Sequence, residues 1–339
     1  MSEQIVVLDD GKMLEKIQDL PNQLEKTWTT HWIKDLALPN EFDQVLIAGM
    51  GGSGIAGALA QELFAAAPTP IFTWADYNLP HWADDETLFI AISYSGETEE
   101  TLSAVKQAAE RKIPALVITS GGKMEGLAEM HGLPVVKLQP DLPPRAAIGE
   151  LYGSLLVALA KTGHFPFKEG DLFRAIEEIR SSISKRTFEP KAEALAMSLN
   201  NELPIIAAAA PLGAVARRFA TQLNENSKTT AFPAALPELC HNLIAGLEFA
   251  IPEKLTVLLL ESSYSFSRNV ARAKVVSQSF ENQQIPVVPL SVQSSSQLGE
   301  QLLLLHFGDL LSYYLAGVYG VDPTPVEEIA TLKEALKKI

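Results

Sequence analysis

Residues 87–120 read TLFIAISYSGETEETLSAVKQAAERKIPALVITS, and this stretch decides the fold. The apolar run Thr87–Ser93 predicts a buried strand, residues 98–111 predict a helix, and residues 114–119 predict a second strand. We expect one apolar helix face, formed by Leu102, Val105 and Ala109. Strands that alternate with helices pair in parallel, with helices covering the sheet on both sides. The stretch therefore predicts an α/β protein.

The neighbouring segments extend this alternation. Residues 43–50, 70–74 and 134–138 predict further strands, and residues 53–66 predict a helix. Residues 151–160 and 172–183 are helical in pattern and would connect this half of the chain to the next. The first half thus contains enough strands for one parallel sheet.

A second copy of the same plan follows. Residues 255–291, LTVLLLESSYSFSRNVARAKVVSQSFENQQIPVVPLS, repeat the order strand, loop, helix, Ile-Pro, strand. Strands are expected at 203–209, 254–261 and 285–290, and helices at 212–223, 267–281, 294–316 and 325–337. We interpret this as an internal duplication. The predicted fold is two subdomains, each a doubly wound, flavodoxin-like parallel sheet flanked by helices. Residues 1–165 would hold the first with N-terminal helices, and residues 166–339 the linker helices, the second and a C-terminal helix.

Composition narrows the function. The 339 residues are 47% hydrophobic and 20% charged, which is typical of a folded globular protein. A net charge of −14 disfavours nucleic-acid binding, which needs a basic face. The single Cys240 permits no internal disulfide, and we find no signal peptide and no membrane-spanning run. We therefore expect a cytoplasmic protein with no nucleic-acid or membrane partner.

A glycine-rich turn follows the first predicted strand. Residues 49–54 read GMGGSG and open a helix, whose amide groups and positive end attract anions. Gly49, Gly51 and Gly54 also match the dinucleotide pattern G-x-G-x-x-G, and Asp76 could then bind a ribose. An ordinary tight turn is the third interpretation of this segment.

The loop of residues 93–98, SYSGET, gives a stronger signal. Ser93, Ser95 and Thr98 offer hydroxyl groups around Gly96, and Thr98 is placed to cap the helix that begins at Glu99. Hydroxyls and exposed amides at a strand-to-helix junction suit the oxygens of a phosphate group. A purely structural capped loop is the alternative.

These two segments, GMGGSGIAG and SYSGETEET, resemble the sugar isomerase (SIS) domain. More specific segments are NENSK at 224–228, PELCHN at 237–242, GLE at 246–248, PPRAA at 143–147 and VDPTPV at 321–326, followed by Ile329 and Lys333. Together they resemble the bifunctional phosphoglucose/phosphomannose isomerases of archaea and bacteria. The resemblance covers the chain from about residue 38 to its end.

The resemblance implies a set of roles. The 6-phosphate of a hexose would contact the phosphate-binding residues Gly52, Ser53, Ser93, Ser95 and Thr98. Glu225 would be the base that moves a proton between C1 and C2 of the sugar, and Arg145 would lie near these carbons. His241 would open the sugar ring, Lys333 would act at the ring oxygen, and Thr324 lies where such enzymes admit the C2 epimer.

The resemblance also implies an assembly and a reaction without cofactors. We expect a homodimer in which His241 can complete the partner's site, and an isomerase that converts glucose 6-phosphate and mannose 6-phosphate to fructose 6-phosphate. The six histidines are scattered, so we expect no metal. The alternatives are a non-catalytic sugar-phosphate sensor, an NAD-dependent enzyme and an amino-sugar isomerase domain.

Overall fold

A computed structural model describes residues 5–29, 36, 38–336 and 338 of the chain. The elements of the first half are α1 (Met13–Gln18), α2 (Leu20–Thr29), β1 (Gln44–Ala48), α3 (Gly51–Leu63), β2 (Ile71–Trp74), β3 (Thr87–Ser93), α4 (Glu99–Glu110), β4 (Ala115–Thr119), α5 (Gly122–His131), β5 (Val135–Lys137) and α6 (Ile148–Thr162). The elements of the second half are α7 (Glu169–Ser184), α8 (Glu189–Ser198), β6 (Leu203–Ala209), α9 (Gly213–Asn226), β7 (Phe232–Leu236), β8 (Leu255–Leu260), α10 (Ser267–Asn282), β9 (Val287–Leu290), α11 (Gln297–Val318) and α12 (Glu327–Leu336).

The first half forms a parallel five-stranded sheet in the order β2-β1-β3-β4-β5. β3 lies at its centre, and all seven residues of this strand are buried. A strand covered on both faces is expected to be continuously apolar, and TLFIAIS fits this requirement. The order is that of the flavodoxin-like fold, so the predicted α/β fold class is confirmed.

The second half repeats the arrangement with four parallel strands in the order β7-β6-β8-β9. Because β6, β7, β8 and β9 take the places of β1, β2, β3 and β4, the topology agrees with the predicted duplication. The sequence patterns gave no prediction for β7. The proline and two alanines of its sequence, FPAAL, are poor strand formers, and Pro233 is tolerated because β7 lies at the edge of the sheet.

Helices join the two halves. The predicted helices at residues 151–160 and 294–316 correspond to α6 and α11, which are almost entirely buried. One apolar cluster includes Ile55 of α3 and Phe219 of α9, so the core is continuous across the halves. The boundary at residue 165 therefore stays a prediction. Among the described residues, no helix is both long and apolar enough to cross a membrane.

The predicted apolar face of α4 is confirmed in part. Val105 is buried, and Leu102 is half-buried and packs against the same apolar cluster, whereas Ala109 is only half-buried. The buried positions of the helix are Thr101, Ala104, Val105 and Ala108.

Candidate functional site

The two candidate loops lie side by side at one edge of the first sheet. β1 and β3 are parallel neighbours, so the residues after Ala48 and after Ser93 emerge at the same carboxyl edge. This is the point where the strand order reverses, and open α/β sheets bind ligands there. A direct hydrogen bond connects the loops, from the backbone N–H of Tyr94 to Oγ of Ser53 at 3.2 Å.

The hydroxyl groups of the second loop form a compact cluster. Oγ of Ser93 and Oγ1 of Thr98 are 2.9 Å apart, and Oγ of Ser93 also accepts the backbone N–H of Gly96. Ser95 is exposed, and its Oγ accepts the N–H of Glu97 at 3.3 Å. Helix α4 begins at Glu99 as predicted, but the predicted side-chain cap is wrong. Thr98 makes no capping bond because its hydroxyl is directed to Ser93.

Two glycines permit the close packing of this edge. Gly96 has φ +67°, and a side chain there would collide with the backbone oxygen of Gly121. A Cβ on Gly52 would lie 3.1 Å from the backbone oxygen of Pro144 and 3.2 Å from Cα of Arg145. Gly52 is therefore the position at which the first loop meets the segment that carries Arg145.

Tyr94 connects the loop of residues 93–98 by hydrogen bonds to the segment that leads to Arg145. Its hydroxyl donates to the backbone oxygen of Gln139 and accepts the N–H of Leu142 at 3.0 Å. The side chain is 3% exposed, and burial raises the pKa of Tyr94 to about 12, so it remains a neutral donor. Sequence patterns predict no role for Tyr94, since one tyrosine between two serines carries no periodic signal.

Arg145 is the point where three parts of the chain converge. Its Nε donates to Oδ1 of Asn226 at 2.6 Å, and its Nη2 donates to the backbone oxygens of Pro323 and Thr324, both at 2.7 Å. The guanidinium is 4% exposed. Burial lowers the pKa of Arg145 from its ordinary value, and the neighbouring Glu225 partly opposes this effect. Arg145 therefore joins the first sheet to the end of α9 and to the C-terminal segment.

Glu225 lies beside this guanidinium. Its Oε2 is 3.6 Å from Nη1 of Arg145, and a quarter of its side chain (25%) remains exposed. Nζ of Lys228 donates to the backbone oxygens of Glu225 and Pro325, both at 2.6 Å. Burial, followed by the charge of Arg145, lowers the pKa of Lys228. Glu225 is thus a partly exposed carboxylate beside the guanidinium of Arg145, and Lys228 holds its backbone oxygen.

Arg218 and Asp309 form a buried ion pair, and Arg218 also bonds to the backbone of Arg145. Nε and Nη2 of Arg218 contact Oδ1 and Oδ2 of Asp309 at 3.1 and 2.6 Å, and Nη2 also donates to the backbone oxygen of Arg145 at 2.9 Å. Gln222 donates to the same carboxylate at 2.9 Å. Sequence patterns did not reveal this pair, because α9 and α11 bring together residues that are 91 positions apart.

His241 is separated from Glu225 within the chain. Helix α9 runs back between the parallel strands β6 and β7, so its last turn, with Glu225, lies toward the amino ends of these strands. His241 follows the carboxyl end of β7 and is exposed. The two predicted catalytic residues therefore lie at opposite ends of the second sheet.

Lys333 and Thr324 have different surroundings from those of Arg145 and Glu225. Lys333 lies on α12, where no described side chain is buried, and none of its described contacts reaches Glu225 or Arg145. Thr324 accepts from Arg145 through its backbone oxygen, while its side chain packs on Gly11. Its Oγ1 is buried with no hydrogen-bond partner among the described residues. The roles of both residues stay predictions.

In the second half, residues 261–266 follow β8 as residues 94–98 follow β3. The side chain of Glu300 fills this second loop. Ser262 donates through its hydroxyl, and Ser263 through its hydroxyl and its N–H at 3.2 Å, to the carboxylate of Glu300. Glu300 is 2% exposed. In the aligned sequences, Phe266 and Arg268 of the second loop stand in place of Gly96 and Thr98 of the first. The second loop is consequently filled and lacks a counterpart of the Thr98 hydroxyl.

Comparisons with known proteins agree with this fold. The family described as "SIS domain" matches residues 41–125, and "Bacterial phospho-glucose isomerase C-terminal SIS domain" matches residues 188–336. A Thermus thermophilus crystal structure described as a hypothetical protein has a TM-score of 0.74 at 18% identity, covering 97% of this chain and 90% of its own. The fold alone follows from that likeness.

Two curated relatives share more of the sequence. A bifunctional phosphoglucose/phosphomannose isomerase from Caldicellulosiruptor bescii is 32% identical over 96% of this chain and 99% of its own. A protein of the same description from Thermoplasma volcanium is 36% identical over 87% of this chain and 92% of its own. With this identity over nearly the full length of its relatives, the chain belongs to the family of bifunctional phosphoglucose/phosphomannose isomerases.

Proposed function

We propose that the protein is an aldose–ketose isomerase that interconverts glucose 6-phosphate and mannose 6-phosphate with fructose 6-phosphate through a cis-enediol. The observation that carries this proposal is the contact between Arg145 and Glu225 beside the paired loops of the first sheet. The segment that carries Arg145 thereby contacts both the first loop, at Gly52, and the carboxylate of Glu225. The names of the curated relatives support the same activity.

The phosphate group would bind at the first sheet. Ser53, Ser93, Ser95 and Thr98 provide hydroxyls, and the backbone at Gly52 opens α3, whose amino end favours an anion. The phosphate takes no part in the proton transfer, so its binding energy serves to hold the sugar carbons against the base. A phosphate oxygen would take over the hydrogen bond that Ser93 and Thr98 now share.

Glu225 would transfer the proton between C2 and C1. A carboxylate that serves as a general base contributes roughly 10²–10⁴-fold to a rate. Three of the directions in which Arg145 donates are taken by Asn226, Pro323 and Thr324, so its Nη1 is the atom left to face Glu225 and the enediolate. A fixed cation in a poorly hydrated position stabilises negative charge more strongly than water does.

His241 would act in the site of a partner subunit, within a homodimer. His241 and Glu225 of one chain lie at opposite ends of the second sheet, which supports this arrangement. Lys333 would act at the ring oxygen, and Thr324 would admit the C2 epimer. Mixing Glu225→Gln and His241→Ala chains tests the shared site, because a mixed dimer contains one intact site and a random mixture should regain about a quarter of wild-type activity. No recovery after exchange of subunits would mean that both residues act from one chain.

A coupled assay for fructose 6-phosphate tests the activity itself. We expect turnover with glucose 6-phosphate and with mannose 6-phosphate, unchanged by EDTA, since the described residues contain no group of three or more metal ligands. Loss of activity in EDTA would contradict the metal-free scheme. Absence of turnover with both sugars, despite saturable binding, would favour the sensor function, and binding of NAD would favour a dehydrogenase.

A further inference from the structure

A second open groove lies far from Glu225. It has a volume of about 820 Å³ and is lined by α7, by the turn that joins α7 to α8, by residues 291–293 and by Leu303 of α11. Residues 291–293 directly follow β9, so the groove lies at the carboxyl edge of the second sheet, whereas Glu225 lies toward its amino edge. Small-molecule sites have volumes of roughly 300–1,000 Å³ and favour such edges.

The groove of this acidic protein carries lysines that form no ion pair within the described part of the chain. Glu177 is paired with Arg180 at 2.8 Å, and Glu178 accepts hydrogen bonds from Ser294 and Ser295. Glu177 is thus balanced by a cation, whereas Glu178 keeps its negative charge and is held by neutral donors. Lys185 and Lys191 also line it, are exposed, and form no ion pair with any carboxylate of the described residues. A phosphorylated ligand would supply the missing counter-charge.

The remaining lining mixes polar and apolar side chains. Phe188 and Leu303 are buried to more than nine-tenths, so the half-buried Phe173 provides the accessible aromatic surface for a ring. Ser182 also lines the groove and is 8% exposed, and its Oγ has no hydrogen-bond partner among the described residues. A buried unpaired hydroxyl costs roughly 1–3 kcal/mol, so a ligand oxygen nearby would be favoured.

We propose that this groove binds a nucleoside phosphate as a second ligand, with the phosphates held by Lys185 and Lys191. The base would lie against Phe173, the accessible part of the apolar wall that Phe188 and Leu303 complete. Neither lysine alone would specify a nucleotide, and the proposal rests on two lysines without an ion pair among the described residues and an aromatic ring in one groove of this volume. The groove is separate from Glu225, which lies toward the amino edge of the second sheet, and from His241, which follows β7 on the other side of that sheet from β9.

Calorimetric titration of the full chain with ADP, in saturating fructose 6-phosphate, tests the proposal. We expect saturable ADP binding at concentrations below about 1 mM that fructose 6-phosphate does not displace, and weaker binding of adenosine or inorganic phosphate. The double variant Lys185→Ala, Lys191→Ala should bind ADP at least about tenfold more weakly and turn over hexose phosphates normally. The double variant Lys254→Ala, Lys274→Ala, which removes two exposed lysines elsewhere, is the matched control.

Four results would overturn it. The first is no heat of ADP binding in wild-type protein that is folded and active. The second is displacement of ADP by fructose 6-phosphate, which would assign the binding to the isomerase site. The third is ADP affinity that is equal in the two double variants. Equal affinity for inorganic phosphate and ADP would contradict the role of the apolar wall and thereby the nucleotide class.

Discussion

Nη1 of Arg145 lies 3.6 Å from Oε2 of Glu225, although one residue follows the first sheet and the other ends a helix of the second half. The same guanidinium holds Asn226 and the backbone at Pro323 and Thr324. The candidate site therefore exists only when both halves and the C-terminal segment are assembled. This dependence makes Arg145 the residue at which stability and activity should change together.

Replacing Arg145 with lysine keeps the charge but removes the planar group that reaches three acceptors. We expect Arg145→Lys to lower the free energy of unfolding by about 2–4 kcal/mol, because buried hydrogen bonds from a charged group are lost. kcat should fall as well, since Glu225 loses its fixed neighbour. Thermal melting and the coupled assay measure the two effects. Unchanged melting and unchanged kcat would show that the guanidinium geometry is unimportant.

The hydroxyl of Thr98 should matter for phosphate binding. Thr98→Val keeps the shape of the side chain and removes the group that now contacts Ser93. We expect kcat/KM for fructose 6-phosphate to fall by about 10–100-fold, since hydrogen bonds to charged groups contribute roughly 1.5–3 kcal/mol. Weaker competitive inhibition by inorganic phosphate would locate the loss in the anion site.

Thr101→Val is the matched control for this experiment. Thr101 lies in the first turn of the same helix, is 1% exposed, and its hydroxyl has no hydrogen-bond partner among the described residues. Its replacement should leave kcat/KM and phosphate inhibition unchanged. Equal losses in the Thr98 and Thr101 variants would indicate a general effect on α4 and contradict a role of Thr98 in phosphate binding.

Small carboxylates such as formate should raise the stability of a variant that lacks the Glu300 carboxylate. Glu300→Ala leaves the donors of Ser262 and Ser263 without their acceptor, so we expect a loss of about 1–3 kcal/mol of stability. Formate should recover part of the melting temperature by entering the vacated position. Wild-type protein and Glu261→Gln, which changes an exposed neighbour, should show no such recovery. A formate effect of equal size in all three proteins would contradict the idea of an anion pocket.

His306 should give the protein an acid-sensitive stability. Burial lowers its pKa from 6.5 to about 4, while a hydrogen bond with the backbone of Ile17 opposes the shift. Between these values the unfolded chain binds the proton more readily than the folded chain does, so stability falls as pH falls from 6.5 toward 4. The loss amounts to roughly 3 kcal/mol for the full shift.

Urea unfolding at a series of pH values measures this contribution. The variant His306→Gln cannot take up the proton, so its stability should decline less steeply than that of the wild type across the same pH window. Carboxylates titrate in both proteins, and the difference between the two slopes isolates the histidine. Parallel slopes would contradict a neutral, buried His306.

The sequence was most informative where a pattern is local. The run TLFIAIS predicts β3 because a fully buried strand must be apolar throughout, and the Ile-Pro repeat predicts the duplication. The edge strand β7 was missed because Pro233 and two alanines give no strand signal. Sequence patterns also did not predict the packing between elements that are distant in the chain. Arg218 and Asp309, or Glu300 and Ser262, meet only after helices and sheets have assembled.

The candidate site was predicted in a similarly uneven way. Motif resemblance identified Arg145 and Glu225, which the fold brings into contact. Motif resemblance gave no role to Tyr94, whose hydroxyl connects the loop of residues 93–98 to the segment that leads to Arg145. His241 and Lys333 were predicted alongside them, but His241 lies at the opposite end of the second sheet from Glu225, and none of the described contacts of Lys333 reaches Glu225. The roles of both residues stay predictions.

Proton transfer by Glu225 can be measured directly with glucose 6-phosphate in D₂O, by following deuterium at C1 of the fructose 6-phosphate formed. Wild-type protein and the exposed control Glu281→Gln should form product that carries deuterium at C1. Glu225→Gln should still bind the sugar phosphate but form product and exchange protons at least about 10²-fold more slowly. Wild-type rates of both processes in Glu225→Gln would contradict the assignment of the base.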